Sequence, residues 1–537
     1  MILAACCMLP ATASAEFWIY TAAEGDNLWD ISEKYLDRVS RFEQLQKING
    51  IEHPTRMRPG TRLRVPMEWI ASNPEPAEIV DVHGTVELEH ANGEVIIAVA
   101  PGARILLGDE VTTGPDSSVA IRFADNSVLS LYADSSIRFD YLGAYGQTGM
   151  VDSRLRLLKG RADSRVKPAV GPGSRFEIGT PSAVSAVRGT NYRVAIKDDG
   201  QTSNIEVLEG GVAVSGADKE TLVGTGYGTR VTAGKPPISP RKLLEPPTLD
   251  ELPGPIQQIN WPVTWQPLPG ALRYRTELAA AADFNTLRWQ QLGPRTRAAL
   301  PDLPDGSYFL RVRGVDELGL EGKSATREIL LDAHPQPPVP LKPVDGQVLR
   351  GKTPELQWTD SADAARYHLE IALDERFGQV LVDRDNIKGT RFASSELSKP
   401  AKYYWRLASI AADGERGPTG VTRSWEIKAV PDSVDAEVDS MQEGKIVASW
   451  RAGAAGQSYQ VQLAFDPKFR EMQMDVTTTE PEIEFDLIKS RARYLRVRAI
   501  EPDGYKGPWG TTQRVDPAPS KAWIIPLSLS ILVILLL

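Results

Sequence analysis

Close to its amino end, the chain carries apolar residues at helical spacing between two short runs of alternating polarity. Leu28, Ile31 and Tyr35 recur at i, i+3 and i+7, the spacing of one face of an amphipathic helix, and Asn27 before them is a good N-cap. A second helical stretch follows, with an apolar face made of Phe42, Leu45 and Ile48. The runs "FWIYTA" and "RLRVP" on either side are expected to be strands. The pattern predicts a small βααβ unit over residues 16–67.

A β-rich block follows a linker that we place at residues 68–78. From 79 to 234 the sequence consists of short strands of alternating polarity separated by turn residues. In "SVAIRFADNSVLSL", for example, Val119, Ile121 and Phe123 face one side before a polar turn, and "DDG" later marks a hairpin. This block is therefore predicted to be an all-β domain.

After a Pro-rich linker, placed at 235–258, the chain repeats itself three times. Trp265, Trp358 and Trp450 are separated by 93 and 92 residues. Each repeat also carries a Tyr, a Phe and an Arg at matching positions: Tyr274, Tyr367 and Tyr459; Phe284, Phe377 and Phe469; Arg311, Arg406 and Arg496. A period near 92 with short alternating strands predicts three successive β-sandwiches, over residues 259–334, 341–430 and 431–516. Because each Trp lies in an alternating strand, we expect core anchors, and a carbohydrate platform is the alternative.

The two ends of the chain read as targeting segments. Residues 1–15 form a short apolar run that finishes in Ala13-Ser14-Ala15, which predicts a cleaved export signal. Cys6 follows a lipobox-like "LAA", so lipidation of Cys6 is the alternative. The run "KAWIIPLSLSILVILLL", residues 521–537, predicts a C-terminal membrane segment with Lys and Trp as interfacial anchors. The protein is therefore expected to be exported and anchored to a membrane.

Composition narrows the classes of function. The net charge of -9 and the absence of basic clusters argue against nucleic acid as a partner. The two cysteines both lie in the predicted leader, and the five histidines show no metal-ligand spacing. No phosphate-binding glycine loop and no nucleophile motif occurs in a suitable context. We therefore predict a protein that is not an enzyme and holds neither a metal nor a cofactor.

The amino-terminal unit resembles the LysM domain. The motif positions are Tyr20, Gly25, Asp26, Asn27, Leu28, Ile31, Tyr35, Leu45, Asn49, Pro59, Gly60, Leu63, Val65 and Pro66, and Asn27 replaces the more usual Thr. The resemblance implies binding of glycans that contain N-acetylglucosamine, here peptidoglycan. We expect free amides at the start of the first helix to receive an acetamide carbonyl, opposite a second loop. The candidate binding residues are Gly25, Asp26, Asn27, Leu28, Asn49, Gly50, Ile51 and Arg58.

The β-rich block resembles the FecR domain. The similarity is carried by the stretches Gly108–Leu131, Leu157–Ala162, Thr180–Val194 with its "VRGT" signature, and Val207–Val214. The resemblance implies a periplasmic module that takes part in signal relay, although the domains usually found before it are replaced here by the leader and the LysM-like unit. Arg188 and Thr190 stand out in the signature. The interpretation that we prefer is structural, with Arg188 paired to a neighbouring carboxylate and Gly189 permitting a turn.

The three repeats resemble fibronectin type III modules, which implies spacers. At roughly 35 to 40 Å each, three modules in series would hold the amino-terminal domains far from the membrane tail. The sequence thus predicts a multidomain, mostly β protein that binds peptidoglycan in the periplasm and has a further, unidentified envelope protein as a possible partner. The first alternative is a periplasmic signal-transducing regulator of FecR type, and the second is a cell-wall hydrolase.

Overall fold

The computed structural model describes residues 16–393, 397–439, 445–486 and 491–517. The predicted leader (1–15) and the predicted membrane segment (521–537) lie outside these residues. Within them, no helix combines the length and the apolar character that crossing a bilayer requires. The described chain forms two compact units that divide between His334 and Pro335.

The amino-terminal βααβ unit has the predicted order of elements. Its bounds are β1 (Phe17–Thr21), α1 (Leu28–Tyr35), α2 (Phe42–Asn49) and β2 (Arg62–Pro66), with short 3₁₀ turns at Val39–Arg41 and Met67–Trp69. The two strands pair antiparallel, and Leu63 and Val65 on β2 are fully buried against Leu28 and Leu45 of the helices. Ile48 is 44% exposed, so the apolar face of α2 is narrower than the periodicity predicts.

The β-rich block is a pair of large sheets. Its strands are β3 (Ser72–Pro74), β4 (Ala77–His83), β5 (Val86–Glu89), β6 (Val95–Ile97), β7 (Arg104–Ile105), β8 (Glu110–Thr113), β9 (Ser118–Arg122), β10 (Val128–Leu131), β11 (Ser136–Tyr145), β12 (Val151–Lys159), β13 (Arg161–Arg165), β14 (Arg175–Gly179), β15 (Val184–Val187), β16 (Asn191–Ile196), β17 (Thr202–Glu209), β18 (Gly211–Gly216), β19 (Lys219–Gly224), β20 (Tyr227–Thr232) and β21 (Arg241–Lys242).

One sheet has the order β21-β20-β17-β16-β13-β10-β9-β4-β7, and the other has the order β19-β18-β15-β14-β12-β11-β8-β5-β6, with β3 beside β11. A single apolar core lies between them and contains Val119, Ile121 and Phe123, as the alternation predicts. The "DDG" turn joins β16 to β17 in an antiparallel pair, which is the expected hairpin.

The βααβ unit packs firmly on this block. Residues placed in a linker by the sequence form β3, which pairs with the end of β11, and the start of β4. Met150 from the block is fully buried in the core of the βααβ unit, and Tyr145 packs against that core. A Cβ at Gly171 would lie 2.6 Å from the sulfur of Met150, so a larger residue there would require the Met150 side chain to move.

The three repeats are sandwiches. The first contains β22 (Pro262–Thr264), β23 (Arg273–Ala279), β24 (Trp289–Gly293), β25 (Arg297–Ala299), β26 (Gly306–Val315) and β27 (Ala325–Leu331). The second contains β28 (Pro340–Lys342), β29 (Gln347–Arg350), β30 (Glu355–Trp358), β31 (Arg366–Ala372), β32 (Val380–Ile387), β33 (Arg391–Ala393), β34 (Ala401–Ile410) and β35 (Arg423–Lys428). The third contains β36 (Ala436–Asp439), β37 (Lys445–Trp450), β38 (Ser458–Ala464), β39 (Met472–Thr478), β40 (Glu482–Asp486), β41 (Arg493–Ile500) and β42 (Gln513–Val515).

The repeated aromatic residues define the core of each sandwich. Trp265, Trp358 and Trp450 are all buried and each packs against the Tyr of its own repeat, which confirms the prediction of core anchors. The repeated Phe adopts a positive φ in each module, and the repeated Arg lies over its ring. The shared pattern therefore encodes one local structure three times.

The first sandwich packs directly on the β-rich block. Glu277 on β23 is completely buried and accepts hydrogen bonds from Arg161 of the block and from Arg311 and Arg313 of its own module. The Pro-rich segment 235–258 is ordered as well, because its Leu243 is buried and Ile256 belongs to the core of the sandwich. The polar sheet face of the first module is thus covered by the β-rich block, a domain contact that a role as spacer alone does not predict.

Candidate functional site

The candidate site is the surface between two loops of the βααβ unit, residues 22–27 and 50–61. Three backbone hydrogen bonds tie these loops together: Ala22 N–H to the Thr61 carbonyl (2.8 Å), Gly60 N–H to the Ala22 carbonyl (2.8 Å), and Leu28 N–H to the Pro54 carbonyl (2.9 Å). The strands and helices that these loops connect also pack around one apolar core. The surface is consequently held in one geometry before any ligand arrives.

Asp26 closes the first loop. Its carboxylate accepts hydrogen bonds from the Tyr20 hydroxyl (2.6 Å) and from the Ala23 amide (2.7 Å). Burial and the neighbouring carboxylate of Asp26 raise the pKa of Tyr20, so the phenol stays protonated and keeps donating. Gly25 between them has φ +90°, a conformation that favours glycine. Gly25 and Asp26 thus shape the loop.

Asn27 and Leu28 start the first helix. The Asn27 side chain accepts from the Asp30 amide (2.9 Å) and donates to the Asp30 carboxylate (2.7 Å), so it caps the helix as predicted. Leu28 is fully buried, and its amide is paired with Pro54. The expectation that the amides at this helix start are free is therefore wrong for Leu28 and Asp30, because a loop carbonyl and the cap already satisfy them.

Asn49, Gly50 and Ile51 build the second loop. Asn49 joins α2 to β2, since its side chain donates to the carbonyls of Leu45 (2.9 Å) and Arg64 (3.0 Å) and accepts from the Arg64 amide (2.6 Å). Gly50 ends α2 in the left-handed conformation, and the half-buried Ile51 donates its amide to Gln46. These three residues hold the loop in place.

Exposed side chains remain at this surface for contact with a ligand. Arg58 is exposed, and among the described residues its side chain has no hydrogen-bond or carboxylate partner. Trp29, which is not among the predicted site residues, is 53% exposed, and its ring lies 5.3 Å from that of Phe42. A large aromatic residue on the polar side of the helical pattern was the signal that could have identified it.

The described residues contain one group with the ligand types of a metal site: His368, Glu370 and Asp383 in the second sandwich. Arginines occupy it. His368 lies between Asp383 (2.6 Å) and the guanidinium of Arg416, and Glu370 accepts from Arg406 (2.6 Å). Because the guanidinium groups of Arg406 and Arg416 already contact these ligand side chains, the cluster is an ion-pair network of the sandwich and does not fit a metal ion.

The signature residues of the β-rich block differ from the expectation in one respect. Gly189 has φ +88°, and a Cβ there would lie 2.7 Å from Pro168, so the predicted turn needs glycine. Thr190 donates to the Gly211 carbonyl (3.2 Å). Arg188, however, is exposed, and no carboxylate among the described residues pairs with it. The predicted ion pair of Arg188 is therefore wrong.

Comparisons with known proteins agree with these two folds. Residues 20–66 match the LysM domain model, and residues 109–213 match the FecR protein model. The chain thus carries a LysM domain followed by a FecR-type domain, and both families are binding or regulatory in character. No curated protein matches the chain.

Two solved structures illustrate the remaining similarity. A putative anti-sigma factor from Parabacteroides distasonis is 17% identical with a TM-score of 0.21, over 25% of this chain and 59% of that chain. The chicken CNTN1 FN1-FN3 domains are 17% identical with a TM-score of 0.23, over 51% of this chain and 99% of that chain. The chain spans less than two thirds of the anti-sigma factor.

Proposed function

We propose that this protein is a non-catalytic component of the bacterial envelope that binds peptidoglycan through its LysM domain. The observation that carries the proposal is the match of residues 20–66 to that domain, together with two loops held rigidly side by side. The ligand is the N-acetylglucosamine-containing glycan. An exported, periplasmic location and membrane attachment through residues 521–537 belong to the same proposal.

The contacts of each residue indicate its role in the site. Asp26, Asn27, Leu28, Asn49 and Ile51 fix the two loops, and Gly25 and Gly50 allow their sharp turns. Direct contact with sugar falls to the exposed side chains of Arg58 and Trp29. A shallow surface of this kind buries little area, so a single domain is expected to bind weakly.

A sedimentation assay with insoluble peptidoglycan tests this proposal. Arg58→Ala should leave more protein in the supernatant, because it removes a side chain that makes no internal contact among the described residues. Arg38→Ala is the matched control, since Arg38 is also an exposed arginine of the LysM domain but follows the far end of α1. Failure of the unaltered protein to sediment would refute the proposal, and equal retention of both variants would remove Arg58 from the site.

A signal-regulating role is the second candidate, favoured by the match of residues 109–213 to the FecR protein model. In this case the FecR-type domain would receive a partner protein and transmit its binding. The packing of the first sandwich on this domain supplies a physical connection for such a signal. The hydrolase alternative makes a different prediction, release of soluble wall fragments, which chromatography of the supernatant in the same assay would detect.

A further inference from the structure

One sheet of the FecR-type domain ends in β6 (Val95–Ile97), which pairs on one side with β5 and has no neighbour on the other among the described strands. All three residues of β6 are aliphatic and exposed: Val95 49%, Ile96 36% and Ile97 68%. Leu106 and Leu107, in the turn between β7 and β8, are 49% and 50% exposed. No other stretch of this length in the described chain exposes as many large apolar side chains.

The pairing of β6 with β5 decides which of its backbone groups face outward. The His90 amide donates to the Glu94 carbonyl (2.8 Å), so these two residues form a hydrogen-bonded pair at the start of the ladder. Bonded and non-bonded pairs alternate along antiparallel strands. Counting along the register, Ile96 is bonded to β5, whereas Val95 and Ile97 direct their amides and carbonyls away from it. The open edge therefore offers two donors and two acceptors.

A buried carboxylate holds this edge in one geometry. Asp109 is 1% exposed and accepts hydrogen bonds from the amides of Ala91 (3.1 Å) and Leu106 (2.8 Å). One of its oxygens also lies 2.8 Å from Nδ1 of His90. Asp109 thus ties the turn between β5 and β6 to the turn that carries Leu106 and Leu107. Because the surface is already ordered, a strand that pairs with it pays little further conformational entropy.

The edge is complementary to itself. When two copies pair antiparallel about a two-fold axis at Ile96, Val95 of each copy lies opposite Ile97 of the other. All the open amides and carbonyls then meet in four hydrogen bonds. Any shift along the edge loses at least half of these bonds, so the register is fixed. The side chains that come together are aliphatic on both sides.

The charges next to β6 do not oppose this pairing. Glu87 and Glu89 on β5 lie opposite Ile97 and Val95, on the outer face of the sheet. In the paired sheet, three strand spacings separate these carboxylates from those of the second copy, about 14 Å. This distance exceeds the Debye length of about 8 Å at physiological salt. The result is an apolar centre with a polar rim, the usual composition of a protein interface.

The size of the patch predicts a weak dimer. Five aliphatic side chains, each between one third and two thirds exposed, give an apolar patch of roughly 300–600 Å², the size of the largest patches on typical monomers. A standard interface buries about 800 Å² on each partner. Pairing through this edge alone should therefore depend on concentration.

We propose that the β6 edge binds a second copy of this chain, so that two FecR-type domains share one continuous sheet. The LysM domain meets this sheet through β3 beside β11, three strands from β6, so the pairing does not use the glycan-binding loops. The benefit for wall binding rests on the proposed function. One LysM domain binds weakly, and two domains held by one sheet bind the same polymer with higher avidity.

Disulfide cross-linking tests the register in the full chain, kept in detergent, with Cys6→Ser and Cys7→Ser as the background. Ile96→Cys should cross-link to its own copy, because directly opposite, non-bonded residues have Cα atoms about 4.5 Å apart, within the disulfide range. Ile97→Cys should not, since its two copies lie diagonally, roughly 8 Å apart, although Ile97 is the more exposed residue. A mixture of Val95→Cys and Ile97→Cys should cross-link again.

Sedimentation equilibrium over a range of concentrations measures the dimer without a cross-link. Ile97→Lys places a charge beside an aliphatic side chain of the second copy and should raise the dimer Kd about 10-fold or more. Leu222→Lys is the matched control, because Leu222 is 74% exposed on β19, the strand at the opposite end of the same sheet. It should leave the Kd unchanged. Equal circular dichroism spectra show that both variants fold.

Three results would overturn the dimer: a monomer at every concentration, self-linking of Ile97→Cys as efficient as that of Ile96→Cys, or unchanged dimerisation in Ile97→Lys. Linking of Ile96→Cys in cells to a different envelope protein, without the self-linked species, would assign the edge to another partner and refute self-pairing.

The peptidoglycan sedimentation assay separates this proposal from the proposed function. Ile97→Lys should be retained several-fold less than Leu222→Lys, because it loses avidity and keeps its LysM domain intact. Equal retention would refute the contribution of pairing to wall binding. A protein that cross-links through Ile96→Cys but does not sediment with peptidoglycan would refute the proposed function and support the dimer.

Discussion

The first and second sandwiches carry a Glu and an Arg at the same repeat positions, but the two pairs differ in their exposure to solvent. In the second sandwich, Glu370 accepts from Arg406, and the arginine side chain is 32% exposed. In the first, Glu277 is completely inaccessible and Arg311 is only 12% exposed. The FecR-type domain makes the difference, because it covers this face of the first module.

The covered face has gained further charged partners. Arg161 of the FecR-type domain forms an ion pair with Glu277, and Arg193 of the same domain donates to the backbone carbonyl of Glu321 (2.6 Å). The Glu321 carboxylate pairs with Arg275 and Arg313. Buried charges are retained only when their partners compensate the loss of water. A motif that each sandwich needs for its own packing has thus become, in one copy, the centre of a domain interface.

Removal of the central carboxylate should have the largest effect. Glu277→Ala removes the carboxylate that three buried guanidinium groups share, and we expect a loss of about 3–5 kcal/mol in the free energy of unfolding. Glu370→Ala, the same change in the second sandwich, should cost no more than about 1 kcal/mol because its arginine remains in contact with water. Urea denaturation measures both, and equal losses would show that coverage by the FecR-type domain does not matter.

Acidification should weaken the same interface. Burial alone would raise the pKa of Glu277, but Arg311, Arg313 and Arg161 outweigh it and hold the pKa well below its ordinary range; Glu321 is lowered in the same way by Arg275 and Arg313. Because these folded-state pKa values lie below the unfolded ones, the stabilisation is complete above about pH 4.5 and is lost as the pH falls.

Glu206, a buried residue of β17 that pairs with Arg193, changes stability with pH in the opposite direction. Burial raises its pKa to about 6, so its ionisation opposes folding as the pH rises from about 4.5 to 6. Stability of the amino-terminal unit should therefore rise slightly from pH 7 to pH 5 and then fall by about 2–3 kcal/mol toward pH 3. Urea midpoints over this range measure the profile. In Glu277→Gln the acid-side loss should shrink, and an unchanged profile would contradict the assignment.

A smaller effect is expected from the aromatic contact at the interface. The Tyr132 hydroxyl lies 3.2 Å from the Phe284 carbonyl oxygen and 3.1 Å from the Asp163 carboxylate. Tyr132→Phe removes this donor from the buried Phe284 carbonyl and from Asp163, at a cost of about 1–2 kcal/mol. Partial release of the sandwich should also expose segment 235–258 to protease.

Tyr367→Phe is the matched variant for this prediction, because Tyr367 donates to Asp360 (2.6 Å) inside the second sandwich. It should lower stability by a similar amount without changing cleavage of segment 235–258. Equal cleavage in the two variants would argue against a role for Tyr132 in docking.

Local structure was largely readable from the sequence. The spacing of Leu28, Ile31 and Tyr35 gave the first helix and its buried face, and the period of the tryptophans gave three sandwiches with Trp cores. Both follow from short-range rules, because helical and strand periodicities decide which side of an element is buried. The two loops in which we place the candidate site lie within the LysM match, and their role in binding stays a prediction.

The roles within the site depend on contacts between segments distant in the chain. The Leu28 amide donates to the Pro54 carbonyl, and the Asn49 side chain donates to the Arg64 carbonyl, so these predicted site residues also make internal contacts. Arg188 shows the reverse. We expected it to be paired, but no carboxylate among the described residues pairs with it, and it lines a recess that two domains form together.

By itself, the sequence determined the order of the domains, the inward faces of their strands and helices, and the residues at which the chain turns, since periodicity and backbone preference act over a few residues. Only the tertiary structure decided that the first sandwich is bound to the FecR-type domain, that Glu277 is buried among three arginines, and that Glu16 and Met67 of the LysM domain line a recess of the FecR-type domain. These features join residues more than a hundred positions apart in the chain, such as Arg161 and Glu277. No local pattern records such a pairing, because its energy depends on which surfaces exclude water together.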